Sequence, residues 1–187
     1  MIGVAKYRWG FNPLGVSVPL WRKCFAAVMF LFVLVGLYVL AFGSVVLNGT
    51  SSLSHNGYFM LRWPIIPVRG AYMSFEAPAA VAPEYTTYSF VKRIVGLPGD
   101  PVRVEGAAVC VGDVCRVLLH DLVERGVGPL EAGVIPPGHY FVLGDADNSL
   151  DSRYAPIGLI AHSSIEAVGF PVPIPHWKEI HSWFSHD

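Results

Sequence analysis

Two residues offer the most chemistry in this chain: a serine at position 52, and a lysine at position 92 that opens the run Lys92-Arg-Ile-Val-Gly-Leu-Pro-Gly-Asp100. At a reference pKa of about 10.4, only roughly one lysine amine in a few thousand is neutral at pH 7. Burial without a carboxylate partner lowers that pKa by about 3 to 5 units, and the amine can then take a proton from a hydroxyl. Phe90, Val91, Ile94 and Val95 give Lys92 apolar surroundings. In a strand, Phe90 and Ile94 share its face while Arg93 points the opposite way and stays solvated or paired. Taken singly, both residues have plain readings: a snorkelling surface lysine, and a turn serine in the polar stretch Asn48-Gly-Thr-Ser-Ser-Leu-Ser-His55.

Other groupings fit catalysis or metal binding less well. His55 follows Ser52 by three residues, an offset that sends the two side chains to opposite faces of an extended chain. Asp145, Asp147, Asn148 and Asp151 echo a calcium loop, but Leu150 stands where that loop needs glycine and Pro156 where it needs the bidentate glutamate. No metal and no cofactor is expected. His176, His181 and His186 recur every five residues, a spacing that aligns no helix face. With Trp177, Trp183 and Phe184 they read as an exposed aromatic tail suited to a membrane interface.

Other segments must position the two residues, and the most conspicuous is apolar. The chain is 53% hydrophobic and only 14% charged, too apolar for an ordinary soluble domain. The excess gathers in Phe25 to Leu47, 23 residues without Asp, Glu, Lys or Arg. As a helix of roughly 34 Å this run spans a bilayer core of about 30 Å, whereas a cleaved signal peptide has an apolar core of about 7 to 15 residues. Lys6, Arg8, Arg22 and Lys23 precede it with no acidic residue in positions 1–24. The positive-inside bias then makes 1–24 a cytoplasmic arm, 25–47 a membrane span and 48–187 a domain on the far side. A net charge of −1 provides no basic field for nucleic acid.

The far-side domain reads as mostly β. Tyr88–Val95, Val102–Glu105, Ala108–Cys110 and Tyr140–Leu143 are short, rich in β-branched and aromatic residues, and bounded by Gly, Pro or Asp. They predict a small, strongly bent antiparallel sheet or barrel. Only Val117–Arg125 and Trp177–Phe184 suit short helices. Pro64, Pro67, Pro78 and Pro83 mark an irregular segment between the serine and the lysine. Its Trp63, Ile65, Ile66, Tyr72, Met73 and Phe75 form either a surface resting on the bilayer or ordinary core. Cys110-Val-Gly-Asp-Val-Cys115 predicts a hairpin turning at Gly112-Asp113, with the cysteines opposed in a close pair whose spacing suits a disulfide. Such a bond belongs in an oxidising compartment such as the periplasm. Two free thiols or half of a metal site are the alternatives, and no second cysteine pair lies nearby to complete a zinc site. Cys24 is expected to be a free thiol.

In chain order stand the apolar span, the serine stretch, KRIVGLPGD and Gly144-Asp-Ala-Asp-Asn-Ser-Leu-Asp-Ser-Arg-Tyr154. From Leu47 to about Ala161 this series resembles the type I signal peptidase (leader peptidase) family. Tyr58, six residues after Ser52, is similar to the shorter TraF-type conjugal-transfer branch, whose serine box resembles NxxxSxPxGxY. The resemblance implies a mainly β fold of bent antiparallel sheets or a barrel, one N-terminal transmembrane helix, and a small hairpin-containing insertion at 101–137. It implies Ser52 as nucleophile and Lys92 as general base. Thr50 would help the backbone N–H of the nucleophile bind an oxyanion, Ser149 would orient the lysine amine, and Asp151 with Arg153 would form a bracing ion pair.

The activity so implied is serine endopeptidase removal of leader peptides from exported proteins. The implied partners are a leader-bearing preprotein such as a pilin or another conjugation or type IV secretion substrate, the lipid bilayer, and components of a secretion machine. The implied location is the bacterial inner membrane, single-pass, with a periplasmic catalytic domain. Alternatives are a general housekeeping signal peptidase and a non-catalytic assembly component. Three features depart from the pattern. Ser54 replaces the usual proline, Asn56-Gly57 replaces Gly followed by an apolar residue, and the last box is one residue shorter than GDNRDNS, with Ala146-Asp147 in its middle.

Overall fold

The computed structural model describes residues 19–48, 52–76, 78 and 89–175. The chain divides into two compact units, 1–38 and 39–187. Helix α1 (Leu20–Phe42) has no buried residue, and its length and composition suffice to cross a membrane. The apolar run at 25–47 is therefore not helical throughout, because its last five residues form strand β1 (Gly43–Leu47). Gly43 explains the switch: a Cβ there would lie 2.6 Å from the Val39 carbonyl and 2.9 Å from the Phe59 ring. The β-branched pair Val45-Val46 then favours extended chain.

Among the described residues, the second unit holds two antiparallel sheets. The larger comprises β1, β2 (Gly57–Leu61), β3 (Tyr72–Glu76), β4 (Ser89–Gly96), β9 (His139–Leu143), β10 (Ile160–Ala161) and β11 (Ile165–Val172), in the order β1-β2-β11-β3-β4-β9-β10. The smaller is β5 (Pro101–Glu105), β6 (Ala108–Val111), β7 (Val114–Val117) and β8 (Gly133–Val134), in the order β7-β6-β5-β8. Between β7 and β8 lies the short helix α2 (His120–Glu124), inside the stretch predicted to be helical. The other predicted helix, 177–184, lies outside the described residues.

Four predicted strands are thus present as β4, β5, β6 and β9, and the fold is mainly β with one long apolar helix. The supposedly irregular segment marked by Pro64 to Pro83 holds β3, and β2 stands just before it. Their residues are buried on both faces, so no period-2 alternation appears in the sequence. Met73 and Phe75 join Ile94, Tyr140, Val142 and Ile157 in one apolar cluster. Tyr72 joins Leu53, Tyr58, Met60 and Ala167 in a second. Only Trp63 and Ile66 of the candidate apolar surface are strongly exposed, while Ile65 packs against the core.

The motif KRIVGLPGD has a purpose at each step. The register shifts between Ile94 and Gly96 as β4 pairs with β9. Gly96 admits no side chain, because a Cβ would meet Ile135, Phe141 and Val111. Gly99 turns the chain at φ 92°, and the Asp100 carboxylate closes the turn by accepting the Leu97 N–H at 2.6 Å. Burial between the sheets collects Val95, Val102, Val109, Val111, Ile135, Phe141 and Leu143. Cys110 faces Cys115 in the β6–β7 register, and the two form the expected disulfide.

Candidate active site

Lys92 enters the site from the middle of β4, paired in register with Met73 of β3. Its Nζ lies 5.6 Å from the centroid of the Phe90 ring, and the residue is 5% exposed. Nζ donates to the Ser149 hydroxyl at 2.9 Å. Burial lowers its pKa from 10.5 to about 8; the Asp151 and Asp145 charges oppose that shift and the Arg153 charge assists it. At pH 7 roughly a tenth of such amines are neutral, several hundred times the fraction in water.

Ser149 is fixed from behind. Its carbonyl accepts the Arg153 Nη2 donor at 2.7 Å, and its N–H donates to the Ala146 carbonyl at 3.2 Å. Arg153 and Asp151 are each 1% exposed and meet at 2.8 Å between Nε and Oδ1. The guanidinium also reaches the carbonyls of Val117 at 2.7 Å and Asp147 at 3.0 Å. Asp151 Oδ2 accepts the Gly144 N–H at 3.0 Å. A buried ion pair is sustainable when hydrogen bonds of this kind satisfy the remaining donors and lone pairs.

Ser52 is half-buried in the turn that follows β1. Its carbonyl accepts N–H donors from Asp145 at 2.9 Å and Ala146 at 3.2 Å. A Cβ on Gly144 would overlap the Ser149 side chain and lie 3.0 Å from the Ser52 carbonyl. The absent side chain is what lets the serine turn, Ser149 and hence the Lys92 amine converge. The structure thus gathers Lys92, Ser149, Asp151 and Arg153, and joins the Ser52 backbone to them through Gly144 and Asp145. Thr50 lies outside the described residues. His55 engages the neighbouring Ser54, with Nδ1 3.0 Å from Oγ.

Among the described residues, the one group of metal-ligand types is Glu105 with Cys110 and Cys115. Both sulfurs are already joined to each other, so neither offers a thiolate.

Sequence reasoning missed Asp145 as part of this site. Its carboxylate accepts from Ser54 N, Ser54 Oγ and the Tyr72 hydroxyl, and lies 3.4 Å from Arg93 Nε. The available signal was Arg93: pointing away from the lysine face of β4, it needed a carboxylate partner.

The profile described as signal peptidase, peptidase S26, matches residues 20–172. The chain belongs to the signal peptidase family. The conjugal transfer protein TraF of Agrobacterium fabrum is 31% identical over 121 residues, 63% of this chain and 62% of that one. Signal peptidase I of Pseudomonas aeruginosa is 31% identical over 117 residues, 47% of this chain and 39% of that one. Mitochondrial inner membrane protease subunit 1 of Saccharomyces cerevisiae is 30% identical over 168 residues, 84% of each chain. This member of the signal peptidase family therefore spans less than two thirds of the first two proteins, and the larger part of the third.

Proposed function

We propose that this chain is a membrane-anchored serine endopeptidase that removes leader peptides from exported proteins, with Ser52 as nucleophile and Lys92 as general base. The observation that carries the reading is the buried Lys92 amine, brought to a pKa of about 8 and held at 2.9 Å by a hydroxyl that cannot restore its charge. A neutral amine that donates one N–H to Ser149 keeps its lone pair free for the proton of the Ser52 hydroxyl. Ser52 Oγ then attacks the scissile carbonyl, while the Thr50 hydroxyl and a backbone N–H stabilise the oxyanion. Lys92 returns its proton to the leaving amine as the C–N bond breaks. Water, deprotonated by the same lysine, hydrolyses the ester and frees Ser52.

Residues before Leu20 form a cytoplasmic arm and helix α1 (Leu20–Phe42) a single-pass anchor in the bacterial inner membrane, with the peptidase domain, from β1 onward, in the periplasm and 101–137 as its hairpin-containing insertion. The substrate binds as an extended strand with small P1 and P3 side chains. Similarity to a conjugal transfer protein and the Ser52 to Tyr58 spacing favour a pilin or another conjugation substrate. Similarity to signal peptidase I supports the second reading, a housekeeping peptidase with broader substrates.

The test is processing of a leader-bearing pilin by cells carrying native chain, Ser52→Ala or Lys92→Arg. Both variants should accumulate the precursor. Full processing by either would reassign the chain as a non-catalytic component of the secretion machine. Cleavage of unrelated preproteins as fast as pilin would favour the housekeeping reading.

A further inference from the structure

Ser54, where the serine box departs from the family pattern, makes two bonds to one atom. Its backbone N–H and its hydroxyl both donate to Asp145 Oδ2, at 3.0 and 2.8 Å. The Tyr72 hydroxyl donates to the same oxygen at 3.1 Å, and the Arg93 guanidinium faces Oδ1 at 3.4 Å. From its other end Asp145 holds the Ser52 carbonyl through its own N–H. Asp145 therefore grips the serine turn on both sides of Leu53, which is itself anchored in the core.

Resting on the reading of Ser52 as nucleophile, we propose that Ser54 is a positioning residue, acting through Asp145 to fix the turn that carries Ser52. A proline at this place restricts the turn by fixing φ. Here two hydrogen bonds to a carboxylate do so instead, and bonds to an ionised acceptor are roughly twice as strong as neutral ones.

The charge on Asp145 suits the task. Burial acts to raise its pKa, but the Ser54 N–H and hydroxyl, the Tyr72 hydroxyl and the Arg93 charge together hold it below the ordinary carboxylate range. Burial and the Asp145 charge push the Tyr72 phenol upward, so it remains a donor. The Asp145 carboxylate is therefore ionised at every pH at which the Lys92 amine is appreciably neutral. A displacement of about 1 Å at a nucleophile costs on the order of 100-fold in rate, so a loosened turn should lower kcat far more than it raises KM.

The experiment uses the full detergent-solubilised chain and a synthetic leader peptide with alanine at P1 and P3. Ser54→Ala should lower kcat about tenfold with KM within about twofold, and Ser54→Thr, which keeps the hydroxyl, should recover most of the loss. Ser54→Ala combined with Asp145→Ala should be no slower than Asp145→Ala alone. Native kcat in Ser54→Ala, or losses that multiply in the double variant, would overturn the proposal. Amide exchange at residues 52–56 separates this outcome from failure of the peptidase reading. If the native chain cleaves nothing, exchange at least about tenfold faster in Ser54→Ala still supports the clasp, and unchanged exchange sinks it.

Discussion

The two sheets use the same antiparallel pairing for opposite ends. The four-stranded sheet is local: β5, β6 and β7 follow one another through the two-residue turns Gly106-Ala107 and Gly112-Asp113, both glycines having positive φ. A disulfide staples its outer hairpin, and its Arg103–Glu105 pair, at 2.9 Å, lies exposed. The seven-stranded sheet is closed by distant partners, with β11 inserted between β2 and β3. It buries Lys92, Ser149, Asp151 and Arg153 without a covalent link. The local hairpins bury an apolar face but, among the described residues, enclose no charged group. Shifting an amine toward neutrality requires long-range closure around it.

The sharpest test of that contrast is Lys92→Met. If Lys92 is the general base, as proposed, its loss should reduce cleavage at least about a thousandfold. Removing a buried cation should leave the melting temperature no lower than native. A variant that is both inactive and strongly destabilised would mean that the lysine holds the sheet together, and the contrast between a functional and a structural sheet would fail.

Arg153→Met should be the converse case. It leaves the Asp151 carboxylate buried and unpaired and frees the carbonyls of Val117, Asp147 and Ser149. A loss of about 3 to 5 kcal/mol in urea unfolding is expected. A loss below about 1 kcal/mol would show that water enters and the interior is not dry. Because the same guanidinium holds both the end of β7 and Ser149, its removal should also slow cleavage in the fraction that folds.

Gly144→Ala tests how closely the two halves of the site approach. The added methyl overlaps the Ser149 side chain and crowds the Ser52 carbonyl, which should cost on the order of 100-fold in kcat. Native activity would mean that the serine turn and Ser149 stand further apart. A pH series adds the sign of the lysine shift. On the proposed reading, in which the neutral amine is the base, burial that holds its pKa near 8 should make kcat/KM climb with pH through about 8 and level off above it. A profile still rising at pH 10 would indicate an unshifted lysine.

Much of this architecture is legible in the residue order, for reasons that differ by region. Lys92 stands out through the resemblance of KRIVGLPGD to the family's motif, since strand period and apolar neighbours fix its face but fit a snorkelling surface lysine as well. The hairpin cysteines do so because two-residue turns dictate register. Strands β2 and β3 are not legible, since Gly57–Leu61 and Tyr72–Glu76 are buried on both sides, and β3 also lies between prolines that signal loop. The end of the helix is obscured because Gly43–Leu47 continues the same apolar composition, and only a close approach by Phe59 marks the change. Asp145 is hidden for another reason. Its partners Ser54, Tyr72 and Arg93 come from three separate segments, and a carboxylate satisfied from three directions leaves no local pattern.

The smallest effect should come from the small sheet. Cys110 and Cys115 stand only five positions apart in the chain. Replacing both by serine opens so short a loop that the chain-entropy account gives about 2 kcal/mol of stability. Cleavage should stay within about twofold, because nothing in the Lys92 cluster touches either sulfur. The β7 carbonyl that Arg153 holds belongs to Val117, two residues beyond Cys115 and paired with Ala108 by main-chain register. If the serine pair instead slowed cleavage tenfold with the melting temperature little changed, the Val117 to Arg153 to Ser149 chain would be transmitting the state of the hairpin to the lysine. The local sheet would then be part of the catalytic device.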